Sequence, residues 1–306
     1  MGYYMIKIVV LGSGGAVPSP DRNLCSIGLR YFGNVYLFDC AEGTQRQMMK
    51  YNLSYAKVKT IFLSHLHEDH ILGIPGLMFT LKMIERKEKC QIFGPEGTEK
   101  RINELVGGER NLGYLIEVKD IKPEWEYRID EKEGATVKAF RTDHTPTSLG
   151  YVFETDKKRR FDKEICKKFG IKGRMFKTLE NENEIEIGKE GKKVKYEDVT
   201  YEQKGKKVVY TGDTMYSKET AKHSKSADVL FHEASFMEEH RKEADEDKHS
   251  TILDAARVAK EAGVEKLVVF HISNRYKREK IKEMKKEGKK EFENLIIGED
   301  GLDILI

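Results

Sequence analysis

Ser64-His65-Leu66-His67-Glu68-Asp69-His70 gathers four metal-capable side chains within six residues. Its Ser64 closes Thr60-Ile61-Phe62-Leu63-Ser64, a run that reads as a buried strand. Histidines at i and i+2 on extended chain point to the same side. Asp69 and His70 then fall where the next helix begins. A loop at the end of a buried strand is a rigid mount for such a cluster. A lone histidine is usually a satisfied core or surface residue, but packing does not explain four ligand-type groups at this spacing.

Working outward, further ligand-type residues recur at strand ends. His144 follows Val137 to Arg141, Asp213 closes Val208-Val209-Tyr210-Thr211-Gly212, and His271 ends Leu267-Val268-Val269-Phe270. With the first four they make seven, a number that suits two zinc ions sharing one bridging carboxylate and keeping a position for water.

The rest of the chain alternates in the same manner. Ile6 to Leu11, Val35 to Asp39, Gln91 to Phe93, Leu149 to Glu154, Val229 to His232 and Leu267 to Ile272 read as strands. Glu42 to Tyr51, Ile71 to Lys87, Thr98 to Val106 and Ile252 to Ala262 carry helical spacing, the last ending at Gly263. This schedule predicts an α/β layered fold. Thr155 to Lys207 breaks the rhythm: 17 Lys/Arg stand against 11 Asp/Glu, with few apolar positions to bury. Such a segment is either a loose insertion or an arm carried by the body. The charge-dense stretch Tyr276 to Lys290 reads as a helix with a solvated face.

Composition sets limits. A net charge of +3 on 306 residues does not announce a nucleic-acid binder, so any basic surface must be local. No apolar run approaches the roughly 20 residues that span a bilayer, and Met1 to Lys7 lacks a leader layout. Cys25, Cys40, Cys90 and Cys166 are scattered without a Cys-x-x-Cys pair and read as reduced thiols, pointing to the cytoplasm.

His-x-His-x-Asp-His followed by separate His, Asp and His resembles the metallo-β-lactamase superfamily. The resemblance implies a four-layer αβ/βα sandwich of two similar halves, with metals at one edge of the sheets. It also implies that His65, His67 and His144 hold one zinc, that Asp69, His70 and His271 hold the other, and that Asp213 bridges them. Glu68 stands where the superfamily usually has a small residue. Narrower motifs run in order along nearly the whole chain: Leu11-Gly12-Ser13-Gly14-Gly15-Ala16-Val17-Pro18, Phe38-Asp39-Cys40-Ala41-Glu42-Gly43-Thr44-Gln45-Arg46-Gln47, His232-Glu233-Ala234-Ser235 and His249-Ser250-Thr251. These resemble the ribonuclease Z family.

That second resemblance implies a single catalytic domain over residues 1–306, working as a zinc-dependent endoribonuclease. Such an enzyme removes the 3′ trailer of precursor tRNA, leaving a 3′-hydroxyl on the tRNA and a 5′-phosphate on the trailer. Asp69 would orient the attacking water, and His249, held by Glu233, would protonate the leaving oxygen. A protruding basic arm at about 155–207 would grip tRNA through Lys158, Arg159, Arg160, Lys168, Lys172 and Arg174. The family's Gly-Pro-rich arm turn is replaced by Gly170 to Phe176. Arg22 and Asn23 would contact RNA from a loop where Pro20 replaces the family's Lys. A homodimer is implied, with no membrane and no protein partner required. The alternative is a hydrolase of a small phosphodiester or thioester on the same fold.

Overall fold

The computed structural model describes residues 5–112, 116–130, 134–188 and 191–306; the opening Met1 to Tyr4, and Lys189 and Glu190 of the charged segment, lie outside them. The chain divides into one compact unit of residues 1–154 and 207–306 and a second, Thr155–Lys206.

The larger unit is built on two seven-stranded sheets. The first runs in the order Asp303–Leu305, Lys7–Gly12, Ser26–Tyr31, Asn34–Phe38, Val58–Phe62, Cys90–Gly94, Ile116–Asp120. The second runs Leu295–Ile297, Leu267–Phe270, Val229–Glu233, Lys207–Tyr210, Leu149–Thr155, Ala135–Arg141, Glu126–Asp130. Alternation along each strand sorts side chains into layers. Ile8, Val10, Phe38 and Phe62 of the first sheet share one core with Tyr151, Tyr210, Phe231 and Phe270 of the second. Their neighbours Val9, Leu11, Leu37 and Ile61 point the other way, onto Met48, Ile74, Leu77 and Ile102 of the helices. On the far side Val209, Leu230 and Val269 pack on Ile252, Ala256 and Ala259. Helix, sheet, sheet, helix is the four-layer αβ/βα arrangement. Among the described residues no helix is long and apolar enough to cross a membrane. All four cysteines are buried and free.

Several elements depart from expectation, each beside the ligand-type residues. Three strands stop short. Asn34–Phe38 ends before Asp39, which turns at φ 57°, and Leu267–Phe270 ends before His271, at φ 56°. Val58–Phe62 ends two residues before Ser64. The expected strand Leu267 to Ile272 is therefore two, and Ile272–Ser273 pairs instead with Gly14–Gly15. The helix expected over Ile71 to Lys87 is likewise split into Glu68–Ile71 and Gly73–Met83. Pro75 accounts for the break: its ring would clash with the carbonyl of Ile71 in a continuous helix, while the first turn of a new helix tolerates it. Gly73 closes the gap, because a Cβ there would lie 1.9 Å from the Ala41 carbonyl oxygen.

Thr155–Lys206 is not loose. It pairs Lys158–Phe161 with Thr200–Gln203 and Glu184–Ile187 with Lys192–Lys195, and carries helices Lys163–Lys168 and Met175–Glu182. Its apolar residues form their own small core of Cys166, Ile171, Leu179, Val194 and Val199.

Candidate metal centre and active site

The turns that end the strands bring the ligand-type side chains together. His65 Nε2 lies 3.0 Å from His67 Nδ1, and His144 Nε2 lies 3.3 Å from the same atom. Asp213 Oδ2 sits in the middle, 3.7 Å from His65 Nε2, 3.4 Å from His70 Nε2 and 3.2 Å from His271 Nε2. Asp69 Oδ2 is 3.6 Å from His70 Nε2 and 3.4 Å from His271 Nε2. Within the trio His65, His67 and His144, and within the trio Asp69, His70 and His271, the ligand atoms lie no more than 4.8 Å apart.

Partners outside the cluster fix these groups. Asp39 is fully buried and accepts from the Ser64 amide (2.7 Å), Ser64 Oγ (2.7 Å), Tyr210 OH (2.6 Å) and His70 Nδ1 (2.7 Å). The last bond turns His70 Nε2 toward Asp213. His144 Nδ1 donates to the Lys248 carbonyl at 3.0 Å, and Ser235 Oγ lies 2.8 Å from His271 Nδ1. Such outer partners set ring tautomer and orientation in metal sites. The Ala16 amide donates to Asp69 Oδ2 at 2.9 Å.

Two observations test whether a metal fits. His70 Nε2 and Asp213 Oδ1 are buried without a hydrogen-bond partner among the described residues, which costs about 1–3 kcal/mol each when nothing else satisfies them. The ring nitrogens of His65 and His144 also converge on His67 Nδ1, at 3.0 and 3.3 Å. Imidazoles with carboxylates are a donor set for zinc and similar divalent ions. Burial pushes His65 well below the usual imidazole range and lowers His144, favouring the neutral, ligating form. The site fits a divalent metal.

His249 stands beside this cluster. Its Nδ1 donates to Glu233 Oε1 at 2.7 Å, and its ring centre is 4.8 Å from that of His144 and 5.2 Å from that of His271. Glu233 is itself held by the Thr214 amide (3.1 Å) and by the Ser235 amide and hydroxyl (both 2.9 Å). Burial alone would lower His249, but the Glu233 carboxylate outweighs it and the imidazole is pushed up to about 9. Burial would raise Asp69, yet the bond from His271 and the nearby His70 hold it well below the carboxylate range.

The other residues singled out in the sequence are not among these ligand groups. Arg22 gives its guanidinium to Ser13 Oγ (2.7 Å) and the Gly298 carbonyl (2.5 Å), while Asn23 Nδ2 bonds the Glu42 carbonyl at 2.9 Å. Both hold their loop together. Lys158, Arg159 and Arg160 occupy a paired strand, where Arg159 reaches Thr200 Oγ1 (2.9 Å) and Arg160 reaches Gln203 Oε1 (2.8 Å). Lys168, Lys172 and Arg174 are exposed. Asp39, Tyr210 and Ser235 act as supports that spacing alone did not single out; Asp39 and Ser235 stood inside quoted motifs.

Two facing sheets with outer helices, and a His/Asp cluster at the strand ends, define a hydrolase of the metallo-β-lactamase fold. The family model described as "Beta-lactamase superfamily domain" matches residues 188–272, and that described as "Anti-Pycsar protein Apyc1" matches residues 6–169. Ribonuclease Z of Methanosarcina acetivorans is 40% identical over 99% of this chain and 98% of its own. Human tRNase Z, short form, superposes with TM-score 0.68 at 27% identity, covering 97% of this chain and 98% of that one. The metallo-β-lactamase fold protein YhfI of Bacillus subtilis superposes with TM-score 0.72 at 19% identity, over 99% and 100%. The chain belongs to the ribonuclease Z family, and it is an endoribonuclease.

Proposed function

We propose that this protein is a zinc-dependent endoribonuclease that removes the 3′ trailer from precursor tRNA, leaving a 3′-hydroxyl on the tRNA and a 5′-phosphate on the trailer. The observation that carries this reading is the meeting of seven ligand-type side chains with a Glu233-held His249, in a chain that matches ribonuclease Z end to end. His65, His67 and His144 would hold one zinc and Asp69, His70 and His271 the other, with Asp213 between them. Bound zinc supplies Lewis acidity, which makes a water nucleophile available near neutral pH and offsets phosphate charge.

The chain's own groups do the rest. Asp69, anchored by the Ala16 amide, orients the attacking water and takes its proton. Attack at phosphorus breaks the bond to the 3′ oxygen of the tRNA, and that oxygen needs a proton as it leaves. With Nδ1 committed to Glu233, His249 offers Nε2 for that transfer. Lys158, Arg159, Arg160, Lys168, Lys172 and Arg174 of Thr155–Lys206 bind tRNA phosphates, giving salt-sensitive affinity without base reading. Arg22 and Asn23 serve the RNA by holding the loop that meets Asp69.

The test is incubation with a 3′-extended precursor tRNA, followed by mapping of both ends. Cleavage after the discriminator base that stops on chelation and returns with zinc is the expected result. An inert precursor beside rapid thioester turnover overturns the reading.

We also propose that the chain works as a homodimer. Leu72, Phe79 and Met83 recur at helical spacing on or beside Gly73–Met83 and are exposed, Met83 by 80%. Exposed Met49 lies on the adjacent helix Thr44–Lys50, tied to this one by Thr80 Oγ1 donating to Gln45 Oε1 at 2.8 Å. Such a patch suits burial against a second copy. Phe79→Glu with Met83→Glu is expected to shift sedimentation from dimer to monomer; an unchanged dimer rejects this face.

A further inference from the structure

The short helix Arg241–Asp247 and the turn Glu238–His240 before it lie between the two segments that supply Glu233 and His249. Glu233 ends the strand Val229–Glu233, and His249 comes two residues after the helix. Little apolar burial holds this stretch, for Ala244 is the one buried residue of the helix. Yet the stretch decides where His249 stands. Lys248 turns at φ 56°, and the His249 amide donates back to the Ala244 carbonyl at 2.8 Å. The carbonyl of Lys248 meets His144 Nδ1.

Polar contacts supply what burial does not. The Arg241 guanidinium spreads over two carboxylates. Its Nε and Nη2 donate to Glu238 Oε1 and Oε2 at 3.1 and 2.6 Å. Its Nη1 and Nη2 donate to Asp254 Oδ2 and Oδ1 at 2.5 and 3.0 Å. Nη2 also reaches Thr251 Oγ1 at 2.8 Å, and that hydroxyl donates to Glu238 Oε2 at 2.7 Å. Thr251 and Asp254 form the capping box of helix Ile252–Ala262, whose Ile252, Ala255 and Ala256 lie in the core. Asp254 is therefore a fixed post, with its side chain only 2% exposed, and Arg241 ties the lightly buried stretch to it. Forked, charge-assisted pairs of this kind are strong and directional. Burial of Arg241 would weaken its charge, but the bonds to Glu238 and Asp254 outweigh it and hold the guanidinium above its usual range. Arg257, the other cation near Asp254, stands 3.7 Å away and is half exposed. Without Arg241 two carboxylates would face each other across Thr251, and like charges repel.

We propose that Arg241 is a positioning residue for the leaving-group acid: its fork on Glu238 and Asp254 fixes helix Arg241–Asp247, and through Lys248 it keeps His249 on Glu233. The proposal rests on the reading of His249 as the acid in precursor-tRNA cleavage. The hydrogen bonds of Arg241 all go to Glu238, Thr251 and Asp254, so it acts on the reaction through the backbone it holds. A misplacement of about 1 Å can cost a rate on the order of 10²-fold.

The test compares wild type, Arg241→Ala, Arg241→Lys and His249→Ala on precursor tRNA and on a nitrophenyl phosphodiester, whose phenolate leaves without a proton. Zinc is kept in excess throughout. Arg241→Ala should lose about 10- to 100-fold in kcat on the precursor, with KM unmoved and the diester unaffected. Lysine restores the charge without the fork and should recover only part of the loss. The Arg241 side chain is 34% exposed, so free guanidinium at millimolar concentration should speed the Ala variant where sodium chloride does not. A parallel fall on both substrates that tracks a lowered Tm, or no recovery with lysine or guanidinium, overturns the proposal. So does an Arg241→Ala enzyme as fast as wild type beside a slow His249→Ala, which leaves the acid assignment standing. A His249→Ala enzyme as fast as wild type overturns that assignment instead, and the positioning role falls with it.

Discussion

His249→Ala is expected to slow cleavage of precursor tRNA by about 10²–10⁴-fold, the usual contribution of a positioned general acid, with metal content unchanged. The imidazole donates to Glu233 Oε1 at 2.7 Å; it also lies within ligand reach of His144 with Asp213 and of Glu233 with His271, so metal content after its removal is what separates a proton donor from a ligand. The loss should fall on kcat and leave KM nearly unmoved, because the interaction forms only as the 3′ oxygen departs. Leaving-group chemistry separates this role from a structural one. A nitrophenyl phosphodiester releases a stable anion that needs no proton, and its hydrolysis should be almost unaffected by the substitution. Loss of bound metal, or an equal fall on both substrates, would remove His249 from the acid role.

Deleting Thr155–Lys206 should weaken binding of precursor tRNA by about 10²–10³-fold, or roughly 2.7–4 kcal/mol, and spare the nitrophenyl diester. The deletion is feasible because Glu154 and Lys207 are cross-strand partners, so a two-residue turn can join them. The segment's apolar residues also cluster with one another, which leaves the facing-sheet core complete without them. The lost affinity should shrink as salt rises, since the groups assigned to binding meet phosphates. Parallel losses on both substrates would show that the segment supports the catalytic unit and does not grip RNA.

The contrast between what the sequence disclosed and what it hid has a physical basis. The seven ligand-type residues were legible because each ends or follows an apolar strand, and strand ends are where such a fold gathers side chains. Helices Thr98–Val106 and Ile252–Ala262 were legible to the residue, the second with its capping box and its Gly263 at φ 60°. Edge strands were not. Ile116–Asp120 and Glu126–Asp130 each close a sheet and carry mostly polar residues, so no apolar run marks them. Ser26–Tyr31 escaped because Gly28 interrupts its pattern; a Cβ there would lie 2.3 Å from the Leu53 side chain. Within the site, the Lys248 carbonyl and the Ala16 amide are backbone groups, which any residue could supply and no motif reveals. Arg22 shows the opposite limit: its orientation is fixed by Ser13, nine residues before it, and by Gly298 near the other end of the chain, a pairing that no local motif reveals.

His65, His67, Asp69 and His70 follow a strand of the first sheet, whereas His144, Asp213 and His271 follow strands of the second. A cation held by this set is therefore a clasp across the seam between the halves, and only the folded chain can offer it. By mass action, a ligand at a hundred times its dissociation constant adds about 2.7 kcal/mol to the native state. That is a large share of the roughly 5–15 kcal/mol by which folded domains exceed their unfolded chains. Scarcity of the metal would thus shorten the life of the protein as well as silence it.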